Sequence, residues 1–293
     1  MGKISTHDTG GIVEIDRVLV AGAGTMGRGI TRAIAEAGIR VLLFDISREA
    51  TEKAVKGINQ ELQKRVEKGE LTEETKDAIV SRISIAEQLS DAADVQIVIE
   101  AIIEDAEKKR ELFTAIEGIC DRNAIFATNT SAQSISDIAS AVKNPSRVIG
   151  MHFFNPVSRM KLVEVVRSIY TSDEVAAAVK GFALRLGKTP VEVRESPGFI
   201  VNRLLIPMIN EAILLLGEDI ASAEAIDIAM KLGAGHPMGP LTLADLIGLD
   251  VCLYIMETFE KKLGAKYSPA PLLKKMVAEG KLGRKTGRGF FTY

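Results

Sequence analysis

The stretch Val18-Leu-Val-Ala-Gly-Ala-Gly-Thr-Met-Gly-Arg-Gly29 decides the reading of this chain. It opens as an apolar strand, turns through glycines and continues as the start of a helix. Gly22, Gly24 and Gly27 fit the G-x-G-x-x-G spacing of a dinucleotide site. Gly22 permits the tight turn, Gly24 lets a pyrophosphate approach the backbone, and Gly27 lets helix and strand pack closely. The helix N-terminus then offers unpaired N–H groups and a partial positive charge to the phosphates. Gly22, Gly24, Thr25, Met26 and Gly27 are therefore candidate cofactor contacts. A second apolar strand, Arg40-Val-Leu-Leu-Phe-Asp45, ends in a carboxylate eighteen positions after Gly27, where an acid should meet the ribose hydroxyls. The other reading of the glycines is a turn in an unrelated βαβ unit.

Working outward, strand patterns occur at 17–21, 40–44, 95–101, 124–128, 148–152, 162–166 and 191–193. Helical patterns at 26–37, 106–119 and 134–141 separate the earlier ones. This alternation predicts an α/β domain, a Rossmann-type and mostly parallel sheet, over 15–194. The two strands flanking Asn155-Pro156 are close enough to form an antiparallel hairpin. The segment 49–82 is charged and helical by pattern, broken near Gly69 and restarted at Thr72-Glu-Glu. It predicts a helical pair projecting from the sheet. Lys64 and Lys68 there are candidates to hold a phosphate-bearing substrate tail, against the alternative of a solvated face.

After Ser196-Pro-Gly198 the strands stop. Helical patterns at 199–216, 222–232, 241–247, 250–263 and 270–279 predict a smaller all-helical domain over 195–293. The first is apolar nearly all round, which requires burial on several sides, in a core or an interface. Pro207 within it should bend it or remove a backbone bond. This helix points to a homodimer formed through the helical domains.

Length and balance bound the function. The chain has 293 residues, 46% hydrophobic and 26% charged, with 37 basic and 39 acidic side chains. That is the balance of a soluble globular protein, with no global basicity toward nucleic acid. No apolar run predicts a membrane span. Cys120 and Cys252 make no disulfide framework or C-x-x-C pair and read as reduced, consistent with the cytoplasm. Residues 1–14 read as a loose polar tail without a secretory pattern.

The histidines are His7, His152 and His236. His7 falls in the tail. His236, in a break between helices, reads as structural. His152 ends a strand, and ligands of open α/β sheets collect outside the carboxyl ends of strands. A histidine there can exchange a proton near neutral pH. Glu164 lies twelve residues on, in the partner strand of the hairpin. Facing His152, it would fix the imidazole tautomer and stabilise its charge; otherwise the histidine holds a structural hydrogen bond. Asn129-Thr-Ser131 follows another strand and either reaches the same edge or caps the next helix. Asn202 opens the first helix of the second domain and either closes the cleft from that side or makes a structural bond. No cluster has metal-ligand spacing, and neither a nucleophile elbow nor a Walker loop is present.

The chain resembles the 3-hydroxyacyl-CoA dehydrogenase family, most of all its short bacterial 3-hydroxybutyryl-CoA members. The likeness runs from Arg17 to Tyr293. It rests on Gly22-Ala-Gly-Thr-Met-Gly27, Asn129-Thr-Ser131, Gly150-Met-His-Phe-Phe-Asn-Pro156, Lys161-Leu-Val-Glu-Val165, Pro197-Gly-Phe-Ile-Val-Asn-Arg203, His236-Pro-Met-Gly-Pro240 and Gly283-Arg-Lys-Thr-Gly287. The resemblance implies a catalytic pair on His152 and Glu164, and substrate contacts at Ser131 and Asn202. It implies cofactor contacts at Asp45, Glu104, Lys109, Asn129, Ser131, Asn155 and Lys285. The implied reaction is reversible NAD-dependent oxidation of an (S)-3-hydroxyacyl-CoA, 3-hydroxybutyryl-CoA to acetoacetyl-CoA above all, in a cleft that closes against water. Two departures stand out: Ala132 where the family often has a second serine, and Arg28 where a small residue is common. Arg28 and Arg48 leave NADP open as cofactor, while Asp45 opposes its extra phosphate. The alternatives are another hydroxyacid dehydrogenase or a non-catalytic NAD-binding protein of the same fold.

Overall fold

The computed structural model describes residues 15–293. The tail assigned to 1–14, with His7, lies outside the described residues. The chain divides into two compact units, one ending at Glu195 and the other running from Ser196 to Tyr293.

The first unit is built on an eight-stranded sheet. In chain order the strands are β1 (Arg17–Ala21), β2 (Arg40–Phe44), β3 (Ile83–Ile85), β4 (Ile97–Glu100), β5 (Ile125–Thr128), β6 (Val148–Phe153), β7 (Leu162–Arg167) and β8 (Thr189–Arg194). They lie in the order β3-β2-β1-β4-β5-β6-β7-β8. Pairing is parallel from β3 to β6, antiparallel between β6 and β7, and parallel again between β7 and β8. The central strands β4, β5 and β6 are buried at every position. Helices cover both faces of such a sheet, so these strands read as unbroken apolar runs. The chain reverses its direction of travel across the sheet between β1 and β4. That switch point sets the glycine turn after β1 beside the end of β4, with Ala21 in register with Glu100.

Helix α1 (Thr25–Glu36) buries Gly27, Ile30, Thr31, Ala33, Ile34 and Ala35 on one side. Helices α2 (Arg48–Glu67) and α3 (Glu73–Val80) start where Ser47 and Thr72 accept backbone N–H groups as caps. The pair does more than project from the sheet: Ala54, Ile58, Leu62 and Ile79 are part of the main core. Ion pairs from Arg28 and Arg32 to Glu61, and from Arg65 to Glu36, tie α2 to α1. Helix α4 (Ala106–Glu117) is capped by Asp105, and the short α5 (Ile135–Ala139) by Ser134. Two elements lie outside the sequence patterns. One is β3, too short to show alternation. The other is α6 (Asp173–Arg185), capped by Ser172 with Asp173 and Glu174 in its first turn.

The second unit contains α7 (Val201–Gly217), α8 (Ala223–Gly233), α9 (Pro240–Ile247), α10 (Leu249–Leu263) and α11 (Pro271–Ala278). Its core gathers Ile206, Ile209 and Ile213 of α7 with Leu241, Leu249, Phe259 and Leu273. Each such side chain contributes about 1.5–3 kcal/mol when fully buried. Two buried carboxylates complete the unit. Asp227 accepts the N–H groups of Leu241 and Thr242 at the start of α9, and Asp245 those of Phe290 and Phe291 near the chain end. Helix α7 contains Pro207. Its apolar surface is only partly covered, since Leu204 is 70% exposed. No helix among the described residues is long and apolar enough to cross a membrane.

Candidate active site

The glycine turn has the geometry that its spacing predicts. Gly22 adopts a φ of +111°, and a Cβ on it would meet the Ala101 carbonyl oxygen at 2.4 Å. A Cβ on Gly27 would lie 1.7 Å from the Gly22 carbonyl oxygen. A Cβ on Gly24 would meet nothing within 4 Å. Glycine is thus needed at 22 and 27 for the protein's own packing, while the space at 24 is open for a ligand. Helix α1 begins there without a side-chain cap and without an acid in its first turn. Its N–H groups and dipole remain available to an anion.

Asp45 is fixed at the end of β2. One of its oxygens accepts the Ala23 N–H at 2.8 Å and the other the Ser47 N–H at 3.0 Å. Beside it Ile46 is 98% exposed, an apolar side chain at the edge of the same turn that the spacing argument did not single out. These residues fit a dinucleotide: an open phosphate cradle, then a carboxylate for ribose. Both arginines that left NADP open are already neutralised. Arg28 pairs with Glu61 at 3.1 Å, and Arg48 with Glu52 and Glu87 at 2.9 and 2.7 Å. Asp45 holds its carboxylate beside the turn.

The strand ends beyond the switch point carry a polar network. Glu100 is fully buried and accepts from Lys109 Nζ at 2.7 Å, Thr128 Oγ1 at 2.6 Å and the Ile102 N–H at 2.8 Å. Lys109 also reaches Glu104 at 3.2 Å. Glu104 in turn accepts from Thr130 Oγ1 and from the N–H groups of Ser131 at 3.1 Å and Ala132 at 3.3 Å. Such a network tolerates burial because each buried charged group is hydrogen-bonded, with the second carboxylate, Glu104, at the surface. Lys109 is 1% exposed, and its ammonium is held between the carboxylates of Glu100 and Glu104. Glu100 falls inside the apolar run 95–101, where no local spacing marks it as part of a site. Its partner Lys109 lies on another element.

Asn129 and Ser131 sit on the turn after β5. The side-chain oxygen of Asn129 accepts the Phe153 N–H at 2.9 Å, tying this turn to the end of β6. Ser131 is half-buried. His152 and Glu164 are directly opposed in the β6–β7 register. His152 Nδ1 lies 2.8 Å from Glu164 Oε2, with the histidine 6% exposed and the glutamate fully buried. A carboxylate on Nδ1 fixes that nitrogen as the protonated one, so proton exchange with a substrate falls to Nε2. The Phe154 ring lies 4.5 Å from the imidazole, centroid to centroid.

Lys64 and Lys68 are brought to one wall of a cleft of about 380 Å³. Thr25 of α1, Asn155 and Arg159 are among its other lining residues, with Glu61 and Arg28, so its rim joins the phosphate cradle to the loop after β6. Arg159 is a third exposed cation there that the sequence reading did not name. Asn155 is exposed in this cleft. Two expected contacts belong to the second unit. Asn202 is half-buried in the first turn of α7. Lys285 is paired with Asp250 at 2.6 Å within that unit.

A family model described as "3-hydroxyacyl-CoA dehydrogenase, NAD binding domain" matches residues 17–196, and one for the C-terminal domain of the same family matches 198–293. A probable 3-hydroxybutyryl-CoA dehydrogenase of Bacillus subtilis is 50% identical, over 96% of this chain and 98% of that protein. A 3-hydroxybutyryl-CoA dehydrogenase of Bradyrhizobium diazoefficiens is 49% identical, over 95% and 96%. Among solved structures, (S)-3-hydroxybutyryl-CoA dehydrogenase from Ralstonia eutropha superposes with a TM-score of 0.94. It is 47% identical, covering 96% of this chain and 99% of that one.

Proposed function

The chain belongs to the 3-hydroxyacyl-CoA dehydrogenase family, and from that premise we propose that it oxidises (S)-3-hydroxybutyryl-CoA reversibly to acetoacetyl-CoA, with His152 and Glu164 as the proton-handling pair. The observation that carries this reading is the buried contact of 2.8 Å between His152 Nδ1 and Glu164 at the end of β6. The glycine turn and Asp45 would hold NAD, which would supply the hydride acceptor for the carbinol carbon. Nε2 of His152 takes the hydroxyl proton as the carbonyl forms, and Glu164 stabilises the positive charge that the ring gains. In reduction the same nitrogen returns the proton. Ser131 orients the reacting oxygen, and Asn202 serves the thioester end. Glu104 holds the Ser131 turn, and Asp45 selects NAD over NADP by repelling a ribose phosphate.

The cleft with Lys64, Lys68 and Arg159 supports binding of the nucleotide end of CoA, whose phosphates suit three exposed cations. Exposed Leu204, Ile220, Ile228 and Leu232 on the second unit support a homodimer. Two free, buried cysteines are consistent with a reducing, cytoplasmic setting.

The test is steady-state reduction of acetoacetyl-CoA with NADH and, in parallel, NADPH, with free acetoacetate as control. Turnover that needs both the CoA thioester and NADH is the expected result. A folded, NADH-binding protein that reduces neither acetoacetyl-CoA nor a longer 3-ketoacyl-CoA would sink the proposal.

A further inference from the structure

The turn that carries Ser131 is irregular backbone between β5 and α5. Glu104 grips its front half through Thr130, Ser131 and Ala132. Its back half is gripped by a second carboxylate from a distant part of the chain. Glu195, just beyond β8, accepts from Ser134 Oγ at 2.7 Å, the Ser136 N–H at 3.0 Å and the Ser136 hydroxyl. Ser134 simultaneously caps α5 by accepting the Asp137 N–H at 3.1 Å. Glu195 is itself anchored, because its N–H donates to the Arg167 carbonyl at 2.9 Å, at the end of β7. The Ile169 N–H donates to the Ser136 hydroxyl at 3.3 Å, adding a tie to the same strand end. Ser131 therefore lies between two carboxylates, Glu104 and the half-buried Glu195, that take up the donors on either side of it. A turn with few ladder bonds of its own keeps its shape only through such ties.

We infer that Glu195 is a positioning residue for the proposed reaction: through Ser134 and Ser136 it sets where Ser131 presents its hydroxyl to the substrate. The inference rests on the reading of Ser131 as a substrate contact. Glu195 has no role in proton exchange, and the phosphate cradle at α1 is held by other residues. Its loss should therefore be felt in turnover and leave cofactor affinity alone. Displacement of a positioned group by about 1 Å costs up to about 100-fold.

The experiment is a mutant cycle on acetoacetyl-CoA reduction, with Glu195→Ala, Ser131→Ala and the double variant. NADH affinity is measured by fluorescence, and thermal unfolding is followed for each. Glu195→Ala should lower kcat/KM by about 10- to 100-fold while the NADH Kd stays within about twofold. In the Ser131→Ala background the same change should cost less than about threefold, because coupled residues are not additive. Glu195→Gln, which keeps a carbonyl acceptor, should recover part of the loss. If Glu195→Ala does not fold, Ser136→Ala removes the hydroxyl tie alone and should show the same coupling at smaller amplitude. Additive losses, or a lowered melting temperature with unchanged kcat/KM, would overturn the inference alone. Wild-type activity in Ser131→Ala would overturn the Ser131 assignment, and the inference with it.

Discussion

Replacing Glu164 by glutamine preserves volume and a hydrogen-bonding oxygen but removes the negative charge beside His152. The contact of 2.8 Å puts the centres of the two charges about 4 Å apart, worth about 4 kcal/mol at an effective dielectric constant near 20. Glu164 is fully buried, so solvent does little to screen the interaction. The glutamine oxygen retains a neutral hydrogen bond of about 1 kcal/mol. The remainder, about 3 kcal/mol, bears on the transition state, where the ring carries its charge, and corresponds to roughly 100-fold in kcat. The assay is steady-state reduction of acetoacetyl-CoA with NADH and with deuterated NADH, the isotope effect showing that chemistry limits. NADH affinity should be unchanged. Reduction needs the protonated ring, and the variant loses the charge that favours it. A variant within about threefold of wild-type kcat, with a fully expressed isotope effect, would refute the assignment of Glu164.

Three further outcomes follow from the geometry. Gly27→Ala puts a Cβ 1.7 Å from the Gly22 carbonyl oxygen; relieving that overlap should cost about 1–3 kcal/mol, seen as a rise of about tenfold or more in NADH Kd by fluorescence titration, and an unchanged Kd would refute it. The double change Lys64→Ala/Lys68→Ala should raise KM for acetoacetyl-CoA by about tenfold at low salt, yet leave KM for acetoacetyl-pantetheine, which lacks the nucleotide, where it was; an equal rise for both substrates would remove the lysines from the proposed nucleotide site. Burial pushes the Cys120 thiol up to about 11 and the Cys252 thiol to about 12, from an ordinary value of 9.0; above pH 9 the unfolded chain sheds protons that the folded chain keeps, so stability is intact below that point and falls as pH rises toward 11. Denaturant unfolding from about pH 8 to about pH 10 should show a shallower fall in Cys252→Ala than in wild type, and equal slopes would contradict the burial argument.

What could be read from the residues alone follows from the range of the interactions involved. Local signals sufficed for β1, α1 and β2, because the turn, the caps and the apolar periodicity all lie within a few residues of one another. The alternation along 95–128 was legible for the same reason. The three residues of β3 offer too few positions to show a period, and only pairing with β2 makes them a strand. Helix α6 escaped notice although Ser172-Asp-Glu174 is a capping signal, since its alanines give a weak apolar stripe. In the candidate site, the opposition of His152 and Glu164 could be suggested from a hairpin, but the distance depends on a register set across strands. The clamp by Glu195 joins residues about sixty positions apart, and the Glu100–Lys109 pair joins a strand end to a helix. Such ties have no sequence period to betray them.

The cross-strand opposition of His152 and Glu164 also bears on how this chain can change length. Gly150 to Phe153 and Val163 to Val166 form one continuous ladder, so the pair is specified by counting residues along two strands. An insertion within either strand would turn one partner to the opposite face of the sheet. The connection from Phe154 to Lys161 is under no such arithmetic and can lengthen or shorten while the pair stays in place. A single-residue insertion within 148–153 or 162–167 should therefore abolish activity by breaking the pair, whereas one between Phe154 and Lys161 should leave the pair in register and be felt through the cleft residues Asn155 and Arg159, as a raised KM rather than a lost kcat.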